Sequence, residues 1–178
     1  MKAVLIMSLV VVLTGFSAKV DCSSTDFPVP PHSKKSLFYI HRNLNNHSVV
    51  YEVNTLKDGS IDSENPFKIY WIREGEKQKY RELNYMERTF AYGLKTVTLG
   101  NGKYRGTFVA KKERYIDAYL DDKGQATALM KIDNKISKLV KIFVQVAEDG
   151  WWPKVAYVEF FGTDFKTNLP TYEKLLIN

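Results

Sequence analysis

The segment FYIHRNLNNHSVVYEVN, residues 38–54, decides the fold because it holds two strand-like runs around one polar loop. Residues 37–42 and 48–54 are rich in β-branched and aromatic side chains, and residues 43–47 between them are mostly polar. Two such runs around a short polar loop predict a β-hairpin. His41 and Arg42, which end the first run, either line a site or mark the point at which a strand leaves the core.

The same pattern recurs along the rest of the chain. Further strands are predicted at residues 67–73, 95–99, 104–110, 115–120, 126–132, 138–147 and 155–161. Turn residues that tolerate positive φ, such as Asn101-Gly102 and Asp122-Lys123-Gly124, separate several of them. These antiparallel, hairpin-connected strands predict a mainly β fold. A partly closed barrel is favoured over the alternative, a sandwich.

One segment has a helical period instead. Tyr80, Leu83, Met86 or Glu87, Phe90 and Leu94 recur every three or four residues, and Gly93 follows the last helical position. This spacing predicts one amphipathic helix over residues 78–92, ended by a left-handed glycine. We expect its apolar stripe to pack over a sheet edge or over the open end of a barrel.

The N-terminal region predicts export. Residues 1–22 combine a basic start, an apolar run that is too short for a membrane anchor and small residues near its end, as in a cleaved signal peptide. Residues 23–36 form a proline-rich linker, and residues 37–178 form a single β-rich domain. The expected location is secreted or periplasmic, with no transmembrane segment after signal removal.

Charge and motifs narrow the functional classes. The formal net charge of +6 is spread along the chain without a block of like charges, so nucleic acid is not a predicted partner, whereas an anionic surface is. The single cysteine, Cys22, excludes an intramolecular disulfide. The three histidines lack metal-ligand spacing, and no phosphate loop or nucleophile elbow occurs. We therefore predict no metal and no cofactor, and favour a non-enzymatic role.

Arg42 is the first candidate ligand-binding residue. In an extended strand it shares a face with Phe38 and Ile40, while His41 lies on the other face. If the first face points into a barrel, the guanidinium at its mouth can hold a carboxylate or sulfate. Alternatively, Arg42 reaches solvent or pairs with a structural acid such as Glu52.

Other candidates are less specific. Trp151 and Trp152 follow a turn, and an exposed indole can stack on a sugar ring, although it more often covers the end of a core. Asn46 begins an N-glycosylation pattern that matters only in a eukaryotic secretory pathway. His41 and Arg42 could also join the carboxylates of Glu159 and Asp164 in an unrecognised hydrolase or lyase site.

Four blocks of sequence carry a family resemblance. LFYIHRNLNNHSVVYEVN, NPFKIYWI, ELNYMERTFAYGLK and WPKVAYVEFFGTD, spread from residue 37 to about residue 175, resemble an uncharacterised family of exported domains, domain-of-unknown-function family 4833. The resemblance implies no activity, so no residue inherits a role from it. The leading hypothesis is an exported, non-enzymatic domain that binds a small or amphipathic ligand, a glycan or an anionic surface. The alternatives are a hydrolase or lyase and a structural envelope or matrix component.

Overall fold

The computed structural model describes residues 27–76, 79–147 and 154–177, and their dominant element is the β-strand. The strands are β1 (Ser36–Arg42), β2 (Ser48–Val53), β3 (Phe67–Ile72), β4 (Tyr80–Glu82), β5 (Leu94–Gly100), β6 (Lys103–Phe108), β7 (Tyr115–Leu120), β8 (Ala126–Ile132), β9 (Lys135–Ala147), β10 (Lys154–Asp164) and β11 (Pro170–Leu176). They form one curled sheet with the shape of a half-barrel. The predicted signal peptide, residues 1–22, lies outside the described residues.

The predicted strands are confirmed, with bounds that shift by a few residues at most. The first hairpin pairs β1 with β2 in antiparallel register, His41 opposite Ser48. Turn residues singled out in the sequence adopt the expected left-handed backbone, with φ of 50° at Asn101 and 69° at Gly124. Alternation and turn chemistry together were therefore enough to place these elements.

The long strand β9 organises the sheet. β10 pairs with it from Ala147 back to Ser137, so β10 occupies one edge along nearly its whole length. The other edge is divided between β8, which pairs with residues 135–138, and β1, which pairs with residues 141–144. Two wings, β1–β4 and β8–β5, thus start from the same edge, and β11 extends the sheet beyond β10.

The prediction of a purely antiparallel sheet is wrong at one junction. β1 runs parallel to β9, with Ile40 beside Ile142 and Arg42 beside Val144. A parallel pair needs a long connection, and here the whole β2–β8 segment supplies it. The sheet is therefore mixed, and its two wings are joined by a contact between distant parts of the chain.

The predicted helix over residues 78–92 is confirmed only in part, because the observed helix is much shorter. Residues 80–82 form the strand β4, and a short helical segment follows over residues 85–91, most of it the π-helical turn Glu87–Ala91. The reason lies at Asn84: its side-chain oxygen accepts from the Glu87 N–H (2.9 Å), and the Glu87 carboxylate accepts from the Asn84 N–H (2.9 Å). This reciprocal capping box starts a helix at Asn84 rather than at residue 78.

Gly93 ends that turn for a reason other than the expected one. Its φ is outside the left-handed region, but a Cβ at this position would lie 1.8 Å from the carbonyl oxygen of Arg88. Glycine is therefore required for close approach of the backbone rather than for its left-handed conformation.

Both faces of the sheet carry packed apolar side chains. The concave face holds the main core, in which Tyr51 is fully buried and stacks on Phe38 with ring centroids 4.3 Å apart. On the outer face, Phe27 of the predicted linker stacks on His41 at 5.2 Å and lies 5.7 Å from the Phe143 ring. The linker residues from Phe27 onward thus contribute to a second, smaller apolar layer.

Candidate functional site

Strand register builds a candidate site on the concave face. Arg42 of β1 lies beside Val144 of β9, Val144 beside Val158 of β10, and Val158 beside Leu175 of β11. These four side chains therefore form one row across four strands, with a cation at one end and apolar groups along the rest. Adjacent strands are about 4.8 Å apart, so the row spans roughly 14 Å.

This row is the floor of an apolar cavity of about 540 Å³. Its other walls come from β1, the π-helical turn, the β6–β7 connection and the C-terminal strands. The lining residues are Ile40, Arg42, Leu44, Phe90, Ala91, Tyr92, Phe108, Ala110, Lys111, Arg114, Ile142, Val144, Val146, Val155, Val158, Phe160, Leu175 and Ile177. No carboxylate is among these described lining residues.

The mouth of the cavity is also apolar. Phe90 is 63% exposed, Leu44 40%, Val155 38% and Ile177 37%, although all four line the cavity. Single exposed apolar residues are ordinary on protein surfaces, but these four line the same cavity. The exposed part of its lining is therefore largely apolar, with the Lys111 ammonium as its charged member.

Three cations line the cavity, and they differ in how their charges are balanced. The Arg114 guanidinium pairs with the Glu173 carboxylate and donates to the carbonyl of Lys131 at 2.9 Å. The Lys111 ammonium lies 3.6 Å from the Glu113 carboxylate. Within the described residues, Arg42 has no carboxylate within ion-pair distance, and its Nε is buried without a hydrogen-bond partner. The cavity therefore carries one unbalanced positive charge.

Aromatic side chains hold Arg42 in place. Its Cζ lies 5.0 Å from the centroid of the Trp71 ring and 5.9 Å from that of Tyr92. The two rings meet edge to face with centroids 5.2 Å apart. The Tyr51 hydroxyl donates to the Tyr92 carbonyl at 2.7 Å, which anchors the turn that carries Tyr92. Burial raises the pKa of the Tyr92 phenol, and the nearby Arg42 charge opposes that rise.

The expected structural partner of Arg42 is engaged elsewhere. The Glu52 carboxylate accepts hydrogen bonds from the Ser33 hydroxyl at 2.9 Å and the Ser36 hydroxyl at 3.3 Å. The β1–β2 register places Glu52 opposite Ser36, at the far end of the hairpin from Arg42. The structure therefore places Arg42 among the residues that line the concave cavity and not beside Glu52.

His41 lies on the opposite face and does not reach the cavity. It is 1% exposed beneath Phe27, and the Ser48 hydroxyl lies 3.2 Å from its Nδ1. Burial lowers the pKa of His41, so the neutral ring is favoured. Ser48 is itself only 2% exposed, so this serine–histidine pair has no open path for a substrate.

The carboxylates of the enzyme hypothesis do not converge with Arg42. Glu159 lies opposite Phe143 on the outer face, where it accepts from the Tyr172 hydroxyl at 2.7 Å. Asp164 ends β10 and accepts from the backbone N–H groups of Lys166 and Thr167, each at 2.8 Å. These contacts hold a sheet face and a turn, and they form no common pocket with Arg42.

The remaining candidates separate into two groups. Trp151 and Trp152 lie outside the described residues, so their role stays a prediction. Asn46 is exposed in the β1–β2 turn, where a modifying enzyme can reach it. Within residues 27–76, 79–147 and 154–177, no three histidine, cysteine or acidic side chains cluster as metal ligands would. In the same residues, no helix has the length and apolarity needed to cross a membrane.

Sequence reasoning missed Tyr92, Trp71 and Phe108 as site residues. The predicted helix over residues 78–92 covers Tyr92 and the predicted strand over residues 67–73 covers Trp71, but neither pattern points to a site. The alternation of side chains along β3 could have indicated the face on which Trp71 lies, which is the face of its partner Val49. Nothing local connects Trp71 to Arg42, because their contact depends on how β1, β2 and β3 assemble.

One of three comparisons with known proteins gives a match. The sequence model of a family described as Domain of unknown function (DUF4833) matches residues 38–174. No curated protein and no solved structure matches the chain. The family resemblance expected from the four sequence blocks is confirmed.

Proposed function

Because the chain belongs to the DUF4833 family, which has no assigned activity, we propose its function from the geometry alone. The protein is a non-enzymatic binding domain that takes up a small, largely apolar or amphipathic molecule in the cavity of its half-barrel. The observation that carries this proposal is the apolar cavity itself, which opens through an apolar mouth.

The dimensions support a ligand site. A cavity of about 540 Å³ falls in the range of roughly 300–1,000 Å³ that small-molecule sites occupy. Side chains of Val144, Val158 and Leu175 leave this space open although larger residues at the same register positions would fill it. Apolar walls in contact with water cost about 25 cal/mol per Å², and a bound apolar molecule removes that cost.

Export forms part of the proposal. The signal-like residues 1–22 and the proline-rich residues that follow support a secreted or periplasmic binding domain. A binding role also suits a fold whose buried His41–Ser48 pair and dispersed carboxylates build no catalytic centre among the described residues.

Fluorescence titration tests this proposal. The neutral fluorophore N-phenylnaphthylamine should bind the full-length protein saturably, with an emission increase that an unlabelled aliphatic alcohol reverses. Val144→Phe places a ring on the cavity floor and should weaken binding at least about tenfold, which corresponds to 1.4 kcal/mol.

The matched control is Val140→Phe on the same strand. Val140 is 47% exposed and does not line the cavity, so this variant should bind as the wild type does. Circular dichroism melting of both variants checks that they fold. Absence of saturable binding by folded wild-type protein, or equal weakening in the two variants, would overturn the proposal.

A further inference from the structure

The unbalanced charge of Arg42 points to the kind of ligand that the cavity takes. Its Nε is buried without a partner in the part of the chain that the structure describes, and no carboxylate lies within ion-pair distance. Arg42 as a whole is half-buried, and a buried donor such as its Nε is unfavourable without a hydrogen-bond partner. Arg42 is thus the lining cation that lacks a carboxylate partner among the described residues, at the edge of a cavity whose floor is apolar.

The contacts that Arg42 does make fix its position without using its donors. The Trp71 and Tyr92 rings attract the guanidinium through their faces, with Cζ 5.0 Å and 5.9 Å from the two centroids. A guanidinium has five N–H donors in one plane, and contact with ring faces satisfies none of them as hydrogen bonds. The side chain is therefore oriented in advance, while its Nη donors, which are not among the buried unpaired atoms, remain available to an acceptor.

The register then orients the ligand. From Arg42 the floor continues through Val144, Val158 and Leu175, and these positions are apolar. The Arg114 charge is already balanced by Glu173, and Lys111 lies near Glu113. An anionic group is thus drawn to the β1 end of the row, and a chain attached to it lies over the apolar floor.

We propose that the cavity binds a single-chain amphiphile with a carboxylate head, the head on the Arg42 guanidinium and the chain along the row to Leu175. This inference rests on the proposed function, whose cavity it uses. A guanidinium matches the planar geometry of a carboxylate with two parallel hydrogen bonds. One unpaired cation also balances the single charge of a carboxylate, whereas a phosphate monoester carries a charge near −2.

Competition binding tests the proposal on the full-length protein. The competitors are four compounds with the same chain and different heads: decanoate, decanol, decyl phosphate and decyltrimethylammonium. Each is titrated against bound N-phenylnaphthylamine, and its displacement of the fluorophore is measured. We expect decanoate to bind at least about tenfold more tightly than decanol, as a charge-assisted pair would give. Decyltrimethylammonium should bind most weakly.

Three variants assign the preference to Arg42. Arg42→Met should weaken decanoate binding by about 10- to 100-fold and leave decanol binding within a factor of about three. Arg42→Lys keeps the charge but loses the planar fork, so it should restore only part of the preference. Lys111→Met removes a lining charge that is already paired with Glu113, so it should weaken decanoate binding less than Arg42→Met does.

The outcomes separate this inference from the proposed function. Equal binding of decanoate and decanol would overturn the carboxylate assignment while the cavity remains a binding site. Tighter binding of decyl phosphate than of decanoate would overturn it in favour of a phosphate head. Equal effects of Arg42→Met and Lys111→Met would overturn the role of Arg42. Failure of all four compounds and of the fluorophore to bind would overturn the proposed function as well.

Discussion

The substitution Tyr51→Phe tests how the core supports the cavity. The Tyr51 side chain is fully buried, and its hydroxyl donates to the Tyr92 carbonyl at 2.7 Å. This bond joins β2 in the core to the end of the π-helical turn, which carries the Tyr92 ring to Arg42. The substitution removes one oxygen atom and keeps the ring that stacks on Phe38.

The expected loss follows from what the hydroxyl leaves behind. Tyr51 is the one donor to the Tyr92 carbonyl among the described residues, so the substitution leaves that carbonyl without its partner. A buried polar group deprived of its partner costs about 1–3 kcal/mol. The aromatic ring stays buried, so the substitution creates no packing void that would add to this cost. A domain of this size loses roughly 2–4 °C of melting temperature per kcal/mol.

Urea unfolding and thermal melting, both followed by circular dichroism, measure the loss. Tyr119→Phe is the matched control, because Tyr119 is only partly buried and none of the hydrogen bonds within the described residues uses its hydroxyl. We expect the control to change stability by no more than about 0.5 kcal/mol. A Tyr51→Phe protein as stable as the control would refute the claim that this hydrogen bond anchors the turn.

Three further predictions use the same unfolding assays. Gly162→Ala should lower the free energy of unfolding by about 1–3 kcal/mol, because the new Cβ would lie 2.6 Å from the Lys138 carbonyl oxygen. Gly106→Ala should lower it less, because the nearest atom there is the flexible tip of the Leu94 side chain at 2.9 Å, and equal losses would contradict this. Burial lowers the pKa of His41 from 6.5, so the stability that its neutral ring contributes is complete above that pH and is lost as the pH falls through the lowered pKa. His41→Gln should flatten the decline in stability below pH 6.5, and an unchanged slope would count against the prediction. Burial, followed by the Glu52 carboxylate, raises the pKa of Tyr70 from 10.0 to about 12. The stability that its neutral phenol contributes is therefore complete below pH 10.0 and is lost as the pH rises through about 12. Other buried tyrosines also titrate late, so Tyr70→Phe should lower the amplitude of the late phenolate absorbance by one tyrosine, and an unchanged amplitude would contradict this.

Most of the strands could be predicted from local sequence. β7 (Tyr115–Leu120) and β8 (Ala126–Ile132) have the predicted bounds, because alternation and flanking turn residues act over a few positions. β11 was missed because it starts at Pro170 and carries charged residues, both of which are typical of an edge strand. Local rules therefore succeed where the strand lies within a hairpin and are weaker at the edges.

The predicted helix shows how two local signals can compete. A three-to-four-residue apolar period runs from Tyr80 to Phe90, yet Tyr80 pairs with Ile72 in β4 and Phe90 is exposed at the cavity mouth. The Asn84–Glu87 capping box is the signal that determines where the turn begins. A period shared between a strand and one helical turn looks like a longer helix, because periodicity alone does not mark boundaries.

The site could be predicted only in part. The alternation of side chains along β1 predicts Arg42 on the same face as Phe38 and Ile40, and Arg42 lines the cavity together with Ile40. The wall that surrounds it depends on the parallel pairing of β1 with β9, which joins residues about one hundred positions apart. No local pattern specifies that pairing, because many strands offer compatible edges. The neighbours of Arg42, and hence the cavity, follow from the assembled sheet.

The same pairing explains why the adjacent residues His41 and Arg42 have separate roles. Successive side chains of a strand point to opposite faces, so β1 gives His41 to the outer layer beneath Phe27 and Arg42 to the cavity. A shift of one residue would exchange them, burying a charge against Phe27 and placing a neutral ring beside Val144. The outer layer disfavours that exchange because a guanidinium there would lie close to the Lys141 ammonium and would replace the neutral ring that stacks beneath Phe27. The contacts that fix the strand register therefore also determine the charge that a ligand meets.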